Sequence, residues 1–137
     1  MKKPISVFFI VLLSSVAFVC CNKDEVYLEL NTNRSLTFNG NFKTINSEKL
    51  EGSVFLNINN GSYECSTDLP FGNGAGIVVA NSQTIEFIDT LFVAIPAIYG
   101  PSYVLSGKHY YKFDGKNLSI WKDKNVGKIK YDLVLVE

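Results

Sequence analysis

The stretch KIKYDLVL, residues 128 to 135, limits the fold more than any other. Ile129, Tyr131, Leu133 and Leu135 alternate with Lys128, Lys130 and Asp132. A period of two puts the apolar set on one face of an extended chain, and that is a half-buried β-strand. The same alternation recurs upstream. Leu118 and Ile120 share a face in NLSIW, and Tyr103, Leu105, Gly107, His109, Tyr111 and Phe113 share one in the segment before the DGKN turn. Leu36, Phe38, Gly40 and Phe42 do so in SLTFNGNFKTI, and Val54, Leu56 and Ile58 in SVFLNI. NNG then turns into SYECST, and NSQ separates GIVVA from TIEFI. From Val26 onward there is no helical period and no internal repeat. Short runs of Val, Ile, Phe, Tyr and Thr punctuated by Gly, Asn and Asp predict an all-β domain of about eight strands.

Eight short strands joined by tight turns suit a small up-and-down barrel, whose closure removes exposed edges. An immunoglobulin-like sandwich is the alternative. Gly40 and Gly107 fall on inward faces, where a barrel strand bends. VYLEL, residues 26 to 30, is a further possible strand.

The N-terminal end has a different character. Lys2 and Lys3 precede an uncharged run from Ile5 to Val19, the basic and apolar parts of an export signal. The run is shorter than the roughly 20 residues of a spanning helix. It ends in Phe18, Val19, Cys20 and Cys21, followed by NKDE. This junction resembles the lipobox of bacterial lipoproteins, in which a cysteine after the apolar run is acylated and becomes the first residue. Cys21 is the better acceptor because it leaves the small Cys20 before the cut. The following Asn22, Lys23, Asp24 and Glu25 are similar to the surface-export signal of Bacteroidota lipoproteins. The resemblance covers the first 25 residues and implies outer-membrane localisation through an N-terminal lipid. The expected organisation is a signal peptide over residues 1–20, a lipidated tether over 21–25, and one β-barrel domain over 26–137.

A second resemblance lies in the last third of the chain. Leu105, Gly107, His109 where tyrosine is usual, Asp114-Gly115, Leu118, Ile120, Gly127, Tyr131 and Leu133 are spaced in a way that resembles lipocalin-like domains of bacterial lipoproteins. It implies a small apolar ligand held inside the barrel. Large inward residues such as Phe38, Phe42, Tyr111, Phe113 and Tyr131 could instead fill the interior. The rival reading is therefore a surface accessory or inhibitor module acting through protein–protein contacts.

Loss of Lys2 and Lys3 takes the 13 basic residues to 11 against 13 acidic ones, without the basic excess of a nucleic-acid binder. Acidic residues gather between Glu48 and Asp89 and lysines between Lys108 and Lys130, which predicts an acidic and a basic side if sequence neighbours stay together. With two of the three cysteines in the signal region, Cys65 has no partner for an intramolecular disulfide. Beside Glu64 and near Asp68 it is expected to be a buried, unreactive thiol.

No Gly-x-Ser-x-Gly, His-Glu-x-x-His or Cys-x-x-Cys pattern is present, so no enzyme activity, metal or cofactor is expected. His109 is the lone histidine and falls inward with Tyr111. DTLFVAIPAIYGPSY, residues 89 to 103, is apolar but carries Pro96 and Pro101, which a central strand would not. It is expected to pack over one end of the barrel or to form an exposed lip. The candidate ligand or partner contacts are Trp121, His109, Tyr111, Phe92, Ile98 and Tyr99. Of these, Trp121 lies on the face opposite Leu118 and Ile120.

Overall fold

A computed structural model describes residues 26–44, 51–68, 72–91, 105–124 and 127–136. The strands are β1 (Leu36–Thr44), β2 (Glu51–Asn59), β3 (Ser62–Thr67), β4 (Gly74–Ala80), β5 (Thr84–Asp89), β6 (Gly107–Phe113), β7 (Asn117–Lys124) and β8 (Gly127–Leu135). Each pairs antiparallel with the next in sequence, and β8 returns to β1 with Leu135 opposite Phe38 and Ile129 opposite Thr44. The result is a closed up-and-down barrel. The β1–β8 ladder rules out the two separate sheets of a sandwich.

Alternation decides which residues point inward. Phe38 and Phe42 of β1, Leu56 and Ile58 of β2, Ile85 and Phe87 of β5, Leu118 and Ile120 of β7, and Tyr131 and Leu133 of β8 are almost completely buried. Each such side chain contributes about 1.5–3 kcal/mol when withdrawn from water. Their rings interlock: Phe38 meets Phe113 at 6.0 Å between centroids, Phe42 meets Tyr131 at 5.7 Å, and Tyr63 meets Phe87 at 4.9 Å. An eight-stranded barrel has about the bore that such side chains fill.

The two glycines expected to bend strands do different work. A side chain at Gly40 would run into the Asp132 carbonyl oxygen and come within 2.7 Å of the Leu133 Cα, so its absence lets β1 lie close to β8. Gly107 stands at the first position of β6 with φ of 77°, a left-handed conformation that favours glycine. The Lys122 amine lies 3.2 Å from where a Gly107 Cβ would be. Gly107 is thus a conformational entry point to β6 and not a gap in the core.

One end of the barrel is closed by short turns. Asn60 and Gly61 have φ of 48° and 78°, as a two-residue hairpin requires when both central positions are left-handed. Asn81 Oδ1 accepts from the Gln83 and Thr84 amides at 3.0 and 2.8 Å, and Asp114 Oδ1 from the Lys116 and Asn117 amides at 2.8 and 2.6 Å. These side-chain acceptors fix the β4–β5 and β6–β7 turns.

VYLEL is not a strand. Residues 26–35 form a strap across the closed end. Leu28 N–H donates to the Phe113 carbonyl at 2.7 Å, Leu30 N–H to the Tyr111 hydroxyl at 3.1 Å, and Gly61 N–H to the Thr32 carbonyl at 2.8 Å. Leu30, 2% exposed, belongs to the core.

Candidate functional site

Inside the barrel, the polar side chains are committed to the protein itself. His109 projects inward from β6 and is 3% exposed. Its Nδ1 lies 2.9 Å from the Gly107 carbonyl oxygen, which can only accept, so Nδ1 carries the proton. The ring stands edge-on to Phe87 and Tyr131, with centroids at 5.7 and 6.5 Å. This is the setting of a core histidine.

Tyr111, two residues further along β6, donates its hydroxyl proton to the Asn81 carbonyl at 2.5 Å and accepts from Leu30 N–H. It ties the strap to the β4–β5 turn. Burial raises its phenol above the ordinary range. Tyr63 donates to the Leu105 carbonyl at 3.0 Å, and its phenol is raised by burial, with the Asp89 and Cys65 charges adding. Burial likewise raises Tyr131. Cys65 is buried and its thiol is pushed up to about 12, by burial first and by Asp89 second. Such a thiol stays protonated and is a poor nucleophile at neutral pH.

Asp89 accepts from Leu91 N–H at 2.8 Å and Ala75 N–H at 3.4 Å, an end-of-strand role. Among the described residues no group of three or more His, Cys, Asp or Glu side chains is placed to hold a metal ion.

The outer wall divides into two halves. On β8, β1, β2 and β3 the outward residues are mostly polar, among them Asn39, Asn41, Lys43, Ser53, Asn57, Glu64, Ser66 and Asp132. An open hollow of about 630 Å³ lies here, lined by Asn41, Lys43, Glu51, Ser53 and Asp68 among others. Partial burial would raise the Asp132 carboxyl, but hydrogen bonds from Lys130 and Ser119 outweigh it and hold the group below the usual range.

On β4 to β7 apolar and aromatic residues stand outward among charged and polar ones such as Glu86, Lys108, Lys112 and Ser119. Ile77 stands opposite Ile88 across the β4–β5 ladder, and both are about half exposed, as are Val79 and Tyr110. Tyr110 stands opposite Trp121 in the β6–β7 ladder. Their rings stack at 6.1 Å with 22° between planes. Trp121 is therefore on the outside, as its parity with Leu118 and Ile120 implies.

The candidate contacts fall apart in space. His109 and Tyr111 belong to the interior, Trp121 to the outer wall, and Phe92, Ile98 and Tyr99 lie outside the described residues, as do Cys21 and Asn22 to Glu25. Ile77, Val79 and Ile88 went unflagged in the sequence because GIVVA and TIEFI are nearly continuous apolar runs. Once Val78 and Phe87 are known to be buried, their neighbours must face out.

The expected acidic and basic sides do not separate cleanly. Acid-bearing β5 pairs with lysine-bearing β6, and Glu86 faces Lys108 across that ladder. Lys122 turns inward at the barrel's other end and donates to the Ser106 carbonyl at 2.9 Å.

No protein-family model, no curated protein and no solved structure matches this chain.

Proposed function

We propose that this protein is a lipid-anchored, non-catalytic binding module of the outer membrane, built on a lipocalin-like barrel and acting through the outside of its wall. The anchor is Cys21, acylated after removal of residues 1–20, with Asn22 to Glu25 as the export signal. The partner is a surface protein that covers Ile77, Val79, Ile88, Tyr110 and Trp121. One observation carries this reading: the described interior is packed with its own side chains, while Ile77, Val79 and Ile88 on β4 and β5 and the stacked Tyr110 and Trp121 on β6 and β7 stand outward on either side of Glu86 and Lys108. Exposed apolar clusters rimmed by polar residues mark interaction sites, and aromatic residues in such a setting are the usual anchors of protein contacts.

A photocrosslinker placed at Tyr110 in living cells, with an equivalent probe at Asn39 on the polar half, tests the proposal. A discrete adduct from position 110 and none from position 39 supports it. Adducts from both or neither would overturn it.

The second reading, an apolar small ligand at the barrel's bore, draws on the eight-stranded closed fold itself. It requires inward rings such as Phe42 and Tyr131 to give way. Uptake of N-phenyl-1-naphthylamine by the membrane-bound protein, lost on Gly52→Leu, would favour it over the wall.

A further inference from the structure

The strapped end of the barrel carries a second exposed apolar surface, separate from the apolar residues on the wall. Val26 is 74% exposed, Tyr27 43% and Leu28 48%. Leu28 packs beside Gly115, its Cδ1 lying 3.4 Å from where a Cβ at that glycine would stand. Leu135 N–H donates to the Lys116 carbonyl in the same turn, and the following Val136 is 55% exposed. Val26, Tyr27, Leu28 and Val136 thus flank the 114–116 turn. The Tyr27 hydroxyl lies 3.2 Å from the Lys112 amine, which also sits 4.5 Å over the Tyr27 ring. Aliphatic side chains, a tyrosine and lysines are the mixture favoured where hydrocarbon meets headgroups.

The length of chain outside this surface decides what covers it. Five residue steps separate Val26 from Cys21, about 17 Å at full extension. The strands rise roughly 20 Å or more from this end to the other. A lipid on Cys21 therefore holds this end, and not the opposite one, within reach of the bilayer. Resting on the anchor proposed above, we infer that the strapped end lies against the lipid surface, with Val26, Tyr27, Leu28 and Val136 in the headgroup region. The apolar wall residues and the far end then face away from the bilayer. Charge at this end is mixed, with Lys112 and Lys116 set against Glu29 and Asp114, so the contact is carried by apolar area and is insensitive to salt.

The test uses mature protein processed from the full chain and reconstituted in phosphatidylethanolamine–phosphatidylglycerol vesicles. An environment-sensitive fluorophore is attached at Leu28→Cys, at Val136→Cys, or at Leu91→Cys on the opposite end. Cys65 is buried and does not compete for the label. Positions 28 and 136 should lose quenching by aqueous iodide and gain quenching by headgroup-labelled lipid, unchanged by 0.5 M salt, while position 91 stays open to iodide. The intact mass reports the acyl chains independently. Absence of acyl mass overturns the anchor and this inference with it. Acyl mass present with position 28 as wet as position 91 overturns the inference alone. So does shielding of position 28 that persists in detergent at dimer mass, which would point to a second copy of the chain.

Discussion

The two halves of the barrel wall have the same inside and different outsides. Inward, β8, β1, β2 and β3 supply Phe38, Leu56, Tyr63 and Tyr131, and β4 to β7 supply Val78, Ile85, Tyr111 and Leu118, all buried. Outward, the first half shows mostly amides, hydroxyls and charges, and the second sets Ile77, Val79, Ile88, Tyr110 and Trp121 among Glu86, Lys108, Lys112 and Ser119. A sheet of this kind folds with polar residues facing water, as the first half demonstrates. The larger apolar share on the outside of the second half is what the proposed partner would cover. Phe55 and Val134 are exposed on the polar half, but singly, as scattered apolar residues are on most surfaces.

The largest effects should come from the shared inside and should be equal in the two halves. Leu56→Ala on β2 and Ile85→Ala on β5 are each expected to destabilise by about 2–5 kcal/mol. Urea unfolding measures both. A core that depends on one half far more than the other would break the comparison.

Next is the strap, which runs from β6 to the β2–β3 turn and so spans both halves. Tyr111→Phe leaves Leu30 N–H and the Asn81 carbonyl without the hydroxyl, at a cost of about 1–3 kcal/mol. Hydrogen exchange at the Leu30 amide should quicken while that at Leu56 changes only with global stability.

Alkaline pH weighs most on the first half, which holds Cys65, Tyr63 and Tyr131 against Tyr111 in the second. Their pKa values are raised in the folded state, so the stability they contribute is complete below their ordinary values. It is lost as pH rises toward the folded ones. The melting temperature should hold level to about pH 8.5, the ordinary thiol value, and then fall. Cys65→Ala should extend the plateau by about one and a half units, because the phenols begin to titrate only near 10.

The smallest stability effect is expected on the outer wall. Ile88→Ser and the matched Ser66→Ala should each change unfolding free energy by no more than about 0.5 kcal/mol. Crosslinking from position 110 should nonetheless fall with Ile88→Ser and not with Ser66→Ala. A steep loss of stability with Ile88→Ser would show that the outward apolar residues serve the fold after all.

Strand positions were legible because alternation and turn chemistry agreed: Asn60-Gly61 and Asp114-Gly115 sit where the apolar period resets. The inward direction of His109 and Tyr111 and the outward direction of Trp121 followed from the same parity. What those side chains bond to was not legible. The Tyr111 acceptor is a carbonyl in the β4–β5 turn, 30 positions back in the chain, and nothing local announces it. VYLEL misled for a related reason. Leu28 and Leu30 keep a strand's spacing, but their amides go to a carbonyl and a phenol at the barrel's end instead of to a neighbouring ladder. Gly107 has the parity of an inward position, yet its backbone angle is what demands glycine, and sequence shows only the residue.

The β1–β8 ladder has a consequence for how the domain comes to be folded. It joins Phe38 to Leu135, so the contact that seals the barrel is also among the most distant along the chain. Before β8 arrives, β1 and β7 each present an unpaired edge to anything nearby, however well the hairpins between them have formed. Closure is thus a late event with a long loop to gather, which slows folding. A chain crossing a membrane strand by strand would remain adhesive until its last strand emerged. That interval is when an escorting chaperone would have most to hold.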